Sequence, residues 1–200
     1  MSTLGIAPIV EGHGELQAIR TLLTRTVHEL LQGPWPVVLP PIRQPRSKLV
    51  AKPRELERAV GLAALKLQQH RASFDHGLVL VLLDADDDPP CELAPRLLEQ
   101  MRRDDVDTTC VLANPEYETW FVAAAQSLSE YLSIDDQPPL EPEKRRLKKG
   151  WIERRFIGSP YSPPIDQPRL TAAMDLSQCR GGSPSFDKLC RELERRLRGT

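Results

Sequence analysis

The chain has 200 residues, 40% of them hydrophobic and 28% charged, which suits one globular domain with a modest appendage and excludes a wholly disordered polymer. A net charge of -1 excludes binding of nucleic acid through overall charge, so any polyanion site must be local. The four cysteines, Cys91, Cys110, Cys179 and Cys190, have no CxxC spacing, which argues against a zinc site or a disulfide framework. With no signal-peptide pattern at the N-terminus and no apolar run near the ~20 residues that span a bilayer, the expectation is a soluble, cytoplasmic protein with no membrane partner.

Leu4 to Val10 is an apolar run expected to form the first strand, ending in Glu11-Gly12-His13-Gly14-Glu15. Leu16, Ile19, Leu22, Leu23, Val27, Leu30 and Leu31 then recur at helical spacing until Gly33-Pro34 stops the helix. Val37 to Leu39 predicts a second, weaker strand. Pro40, Pro41 and Pro45 predict a loop carrying Arg43, Arg46, Lys48 and Lys52. Pro53 suits the first turn of a helix running through Leu67.

Gly77 to Leu83 is the strongest strand, continuously apolar and therefore expected to be covered on both faces as a central parallel strand. It ends in Asp84-Ala85-Asp86-Asp87-Asp88. A helix follows with Leu93, Leu97, Leu98 and Met101 on one face, then a strand over Asp107 to Ala113, then a helix opened by Asn114-Pro115-Glu116 with Trp120, Phe121 and Ala124 inward. The alternation predicts an α/β fold over residues 1–126, a parallel sheet of about four strands flanked by helices. Residues 127–200, with Pro138, Pro139, Pro142, Pro160, Pro163, Pro164 and Pro168, are expected to form a loop-rich basic extension. It closes in one helix carrying Phe186, Leu189, Cys190, Leu193 and Leu197.

Ligands of open α/β sheets sit outside the carboxyl ends of the strands. Glu11 ends the first strand there, and Asp84 and Asp86 end the third. If those strands are neighbours, three carboxylates converge. Crowded carboxylates repel unless a cation offsets them, and Mg2+ or Mn2+ takes such oxygen ligands while leaving positions for water and phosphate. Gly12 and Gly14 would let backbone approach a phosphate closely, beside the free N–H groups of the next helix. The plain alternatives are first-turn acids favoured by a helix dipole and a solvated, capping Asp turn. Two acidic motifs at strand ends together favour the metal site. Glu116 and Glu118 follow the fourth strand and are placed to reach the same crevice. His13 reads as an exposed loop histidine before it reads as a ligand.

Lys144, Arg145, Arg146, Lys148, Arg154 and Arg155, with Trp151 and Phe156 interleaved, form a candidate nucleic-acid contact whose alternative is a solvated helix face. Lys149 is a candidate to neutralise transition-state charge. Ser183 and Ser185 have no base beside them in sequence, which argues against a serine nucleophile. No Walker A loop is present, which excludes a P-loop enzyme.

Three segments in order carry a resemblance: Ile9 to Glu15, Leu82 to Asp88, and Asn114 to Phe121, with Ser183-Pro184-Ser185-Phe186 near the end. The first two resemble the Toprim arrangement of topoisomerases, primases and OLD-type nucleases. The whole set is similar to the bacterial domain-of-unknown-function family 4276. The resemblance implies a Toprim-like, Rossmann-like sheet with a divalent-metal site in which Glu11 is a ligand or general acid/base and Asp84 and Asp86 hold metal. Glu15, Asp88, Glu118 and Lys149 are the positions it implies as assisting groups. It also implies an ATPase partner in anti-phage systems, and a homo-oligomer is compatible with it. The chain lacks a tyrosine-bearing strand-passage domain and the length a primase needs, so the expected activity is a metal-dependent nuclease. The competing expectations are a non-catalytic partner module of an ATPase and a metal-dependent phosphohydrolase of nucleotides.

Overall fold

Leu78 to Leu83 are all buried, so the strand that contains them, β4 (His76–Asp84), needs apolar cover on both faces. The computed structural model, which describes residues 2–134 and 139–199, supplies that cover with helices on each side of one parallel sheet. Pro138 lies outside the described residues. β1 (Leu4–Val10) pairs with β4 along its whole length, and β4 pairs with β5 (Asp107–Ala113), both in parallel. On its other edge β1 pairs with two short strands, β2 (Val37–Val38) near its start and β3 (Ile42–Arg43) at its end.

Helix α1 (His13–Arg25) follows β1, and a widened π turn, Thr26–Leu30, continues it to the stop at Gly33. α2 (Arg46–Ala51) and α3 (Pro53–Gln69) lie between β3 and β4, and α4 (Pro90–Met101) connects β4 to β5. α5 (Glu118–Ala123), α6 (Lys149–Glu153), α7 (Pro163–Ala173), α8 (Leu176–Gly182) and α9 (Pro184–Leu197) complete the chain.

Strand side chains alternate between two cores, as the pleat requires. Leu4, Ile6, Val10, Leu80, Leu82 and Val111 pack with α1, α5 and the C-terminal helices. Ala7, Ile9, Val79, Val81, Leu83 and Leu112 pack with α2, α3 and α4. Each fully buried Leu, Ile or Val contributes on the order of 1.5–3 kcal/mol. Cys110 and Cys190 are buried members of these cores, and no helix of the described residues is long and apolar enough to cross a membrane.

Two stretches depart from the expected loops. β3 and α2 occupy the proline-rich run after Leu39, too short for periodicity to reveal. The extension after residue 127 carries α6, α7 and α8 as well as α9. In α7 the buried residues include Asp166, Gln167 and Thr171 while Ile165 is exposed, so its polarity pattern runs against an apolar helical stripe. Arg25 donates to the carbonyls of Thr171 and Met174 and ties α7 to α1.

Candidate metal centre at the carboxyl ends of β1 and β4

The chain leaves β1 toward β2 on one side and returns to β4 on the other. The gap outside β1 and β4 is therefore the switch point of the sheet, where ligands of such folds bind. Val10 lies opposite Leu82, so Glu11 and Asp84 emerge from neighbouring strands at nearly the same level. A shallow cleft of about 280 Å³ opens there, lined by Glu15, Asp84, Glu116, Glu118, Lys149 and Gln167 among others. His13 is exposed at its edge.

The glycines of the Glu11–Glu15 motif have a packing role. A Cβ on Gly12 would stand 2.1 Å from Glu15 Oε2, and one on Gly14 would stand 1.6 Å from Gln167 Oε1. The space is taken by the Glu15 carboxylate and by an amide from α7. Gln167 Nε2 donates to Glu15 Oε1 at 3.3 Å.

Asp84 Oδ1 accepts the backbone N–H of Tyr117 at 2.8 Å, and Glu116 Oε2 accepts the N–H of Lys149 at 3.0 Å. Glu118 is buried and accepts a hydrogen bond from Tyr161 Oη at 3.1 Å. Burial, followed by the charges of Glu15 and Asp86, pushes Glu11 up to about 7. Burial, then Glu11, Glu15 and Glu118, holds Asp84 well above the usual carboxylate range. Burial likewise lifts Glu118 to about 7, with Glu15 and Glu116 adding to it. Glu11 Oε2 is buried and has no hydrogen-bond partner.

Asp86 and Asp88 turn toward Arg46. Arg46 Nε lies 3.3 Å from Asp86 Oδ2, and its Nη2 pairs with Asp88 Oδ2. The same guanidinium donates at 3.0 Å to the carbonyls of Asp84 and Ala85. Asp86 sits at φ 52°, a left-handed conformation that Asp tolerates better than most residues and that clusters at functional sites. Nothing in the local sequence marked Arg46, because its partners lie about forty residues away and two of them are backbone carbonyls.

The basic segment is split. Arg146 donates to Asp86 O and Asp87 Oδ1, and Lys148 Nζ lies 3.9 Å from both Asp87 and Glu116, so these two reach the acidic loop. Lys149 lines the cleft with its Nζ 3.5 Å from Glu153. Lys144 pairs with Glu141 beside a separate cavity, Arg155 stacks over Trp151, and Arg145 and Arg154 are exposed. Glu143, buried nearby, accepts from both Ser183 Oγ and Ser185 Oγ and from the Ser185 N–H at 2.8 Å. Ser183 thus caps α9 by accepting the Phe186 N–H, and both serines tie the start of that helix to Glu143.

Among the described residues, no three His, Cys, Asp or Glu side chains are gathered tightly enough to hold a metal ion as they stand. The donor set nevertheless fits a hard divalent cation: carboxylate oxygens, one of them buried without a partner, and carboxyls whose negative charge is disfavoured by burial and by the neighbouring carboxylates.

Searches of curated proteins and of solved structures return no match. A profile of the domain-of-unknown-function family DUF4276 matches residues 10–194, from the last residue of β1 into α9. The chain belongs to the DUF4276 family.

Proposed function

We propose that the protein is a divalent-metal-dependent nuclease that hydrolyses nucleic-acid phosphodiesters at the cleft beyond β1 and β4. The observation that carries this reading is Glu11 Oε2, buried and unpartnered among Glu15, Asp84 and Asp86 at the switch point. Glu11, Glu15 and Asp84 would hold Mg2+ or Mn2+, with Glu118 alongside. A divalent ion held there would supply Lewis-acid stabilisation of the negative charge developing on a phosphodiester. Lys148 and Lys149 stand at the rim to bind a phosphate oxygen, and Arg146 keeps the acidic loop closed against that rim. Glu118, near neutrality in its titration, is suited to accept or return a proton there.

A Toprim-like relationship belongs to the same proposal, supported by Glu11 after β1 and Asp84-Ala85-Asp86 after its neighbour β4. The ATPase partner and anti-phage setting are carried by the sequence resemblance.

The test is cleavage of labelled single- and double-stranded DNA and RNA with Mn2+ or Mg2+, comparing the native chain with Asp84→Asn, which keeps an oxygen for the Tyr117 N–H. Cleavage by the native chain alone is expected. Equal cleavage by both would refute the proposed site.

A further inference from the structure

Residues 43–54 contain Arg43, Arg46, Lys48, Lys52 and Arg54 and no acid. Arg46 is engaged with the Asp84–Asp88 loop. The other four are exposed, and none has a carboxylate within ion-pair distance among the described residues. Arg43 makes one contact, from Nη1 to the carbonyl of Glu11 at 3.4 Å. In the segment 144–155, by contrast, Lys144, Arg146, Lys148 and Lys149 each pair with an acid. The basic run that stands out in the sequence is thus partly neutralised, with Arg145, Arg154 and Arg155 outside these pairs, and further positive charge without an acid partner lies on the opposite flank of the cleft.

The sheet fixes where that flank is. Arg43 lies opposite Val10 in the β1–β3 pairing, one residue before Glu11. Moving across the carboxyl edge, β3 comes first, then β1 with Glu11, then β4 with Asp84, then β5, beyond which Glu116 accepts from Lys149. A cleft of crowded carboxylates repels phosphate, and cations that touch no acid of their own offset that repulsion beside it.

We infer that residues 43–54 form a binding arm for the phosphate backbone of a nucleic acid, which crosses the carboxyl edge of the sheet from Arg43 over the cleft toward Lys148 and Lys149. The choice of nucleic acid rests on the nuclease reading; the arm's charge does not. Because α2 is short and its cations project from surface positions, the contact is to backbone charge and carries no base readout.

The experiment measures binding without cleavage. Fluorescence anisotropy in EDTA follows a labelled duplex DNA and a single-stranded RNA of equal length, with the full chain and with Lys48→Ala/Lys52→Ala/Arg54→Ala. The triple variant is expected to bind about tenfold more weakly or worse at low salt, with the slope of log affinity against log salt reduced by roughly 2–3. Lys48→Arg/Lys52→Arg is expected to keep native affinity. Unchanged binding and slope in the triple variant would overturn the inference, as would failure of the native chain to bind either probe. Tighter binding of poly-glutamate than of either nucleic acid would do so too, by making an acidic protein the occupant. Metal uptake by the cleft is a separate readout, so loss of the arm and loss of the nuclease reading are distinguishable.

Discussion

Gln167 on α7 hydrogen-bonds Glu15 on α1, an amide from the C-terminal half of the chain set directly on the acid that closes the Glu11–Glu15 motif. This contact explains why the motif has glycine at 14: the amide oxygen lies where a Cβ would be. The proline-rich region is therefore part of the wall of the candidate metal centre.

Gly14→Ala is expected to destabilise the protein by about 1–3 kcal/mol, since Gln167 is buried and cannot swing into solvent. In a Gln167→Ala background the same change is expected to become close to neutral. A double-mutant cycle by thermal or urea unfolding measures the difference; additive effects would contradict the packing account.

Arg46 holds two carbonyls and a carboxylate of the loop that carries Asp84 and Asp86. Arg46→Ala is expected to cost about 2–3 kcal/mol and to weaken metal uptake together with stability. Arg46→Lys should recover little of either, because an ammonium cannot span the carbonyls and the carboxylate at once. Calorimetry and unfolding on the two variants check this.

Glu143 accepts from Ser183, Ser185 and, through Oε2, from Asn114 Nδ2 at 3.3 Å. Glu143→Ala leaves those buried donors unsatisfied and is expected to cost about 2–4 kcal/mol. Glu143→Gln keeps one acceptor oxygen and should cost less. Equal losses in unfolding free energy would contradict the capping role assigned to the Ser183–Phe186 stretch.

The pH dependence follows from the raised carboxyls. Glu11 and Glu118 move from 4.5 to about 7 on folding, so between these values the folded chain binds more protons than the unfolded one. Their contribution to stability is whole below 4.5 and is lost as pH rises through about 7. In EDTA the melting temperature is therefore expected to fall from pH 5 to 8. The slope should flatten in Glu11→Gln/Glu118→Gln. Glu192 acts in a lower window: burial would raise it, but hydrogen bonds from Lys188 and Arg196 outweigh this and hold it at about 2. Its stabilisation is lost only as pH falls toward that value. Melting curves across the pH range separate the two.

The strand-end acids were legible in the sequence because β1 and β4 are long apolar runs with an acid at each carboxyl end. Adjacency of those strands, the condition on which the site depended, came from the sheet order. Arg46 and Gln167 were not legible. Arg46 follows a two-residue strand, and α7 buries polar side chains against α1 where periodicity looks for apolar ones. The two roles given to Gly12 and Gly14 by sequence and by structure differ because backbone freedom is a local property, while occupied space depends on residues far along the chain.

The most direct measurement is calorimetric titration of Mn2+ into the native chain and into Glu11→Gln, at pH 6 and pH 8. Because ligand carboxyls must lose their protons, native binding is expected to be tighter at pH 8, and the variant is expected to lose most of it at both. No uptake by the native chain, or equal uptake by the variant, would contradict a metal centre at the ends of β1 and β4.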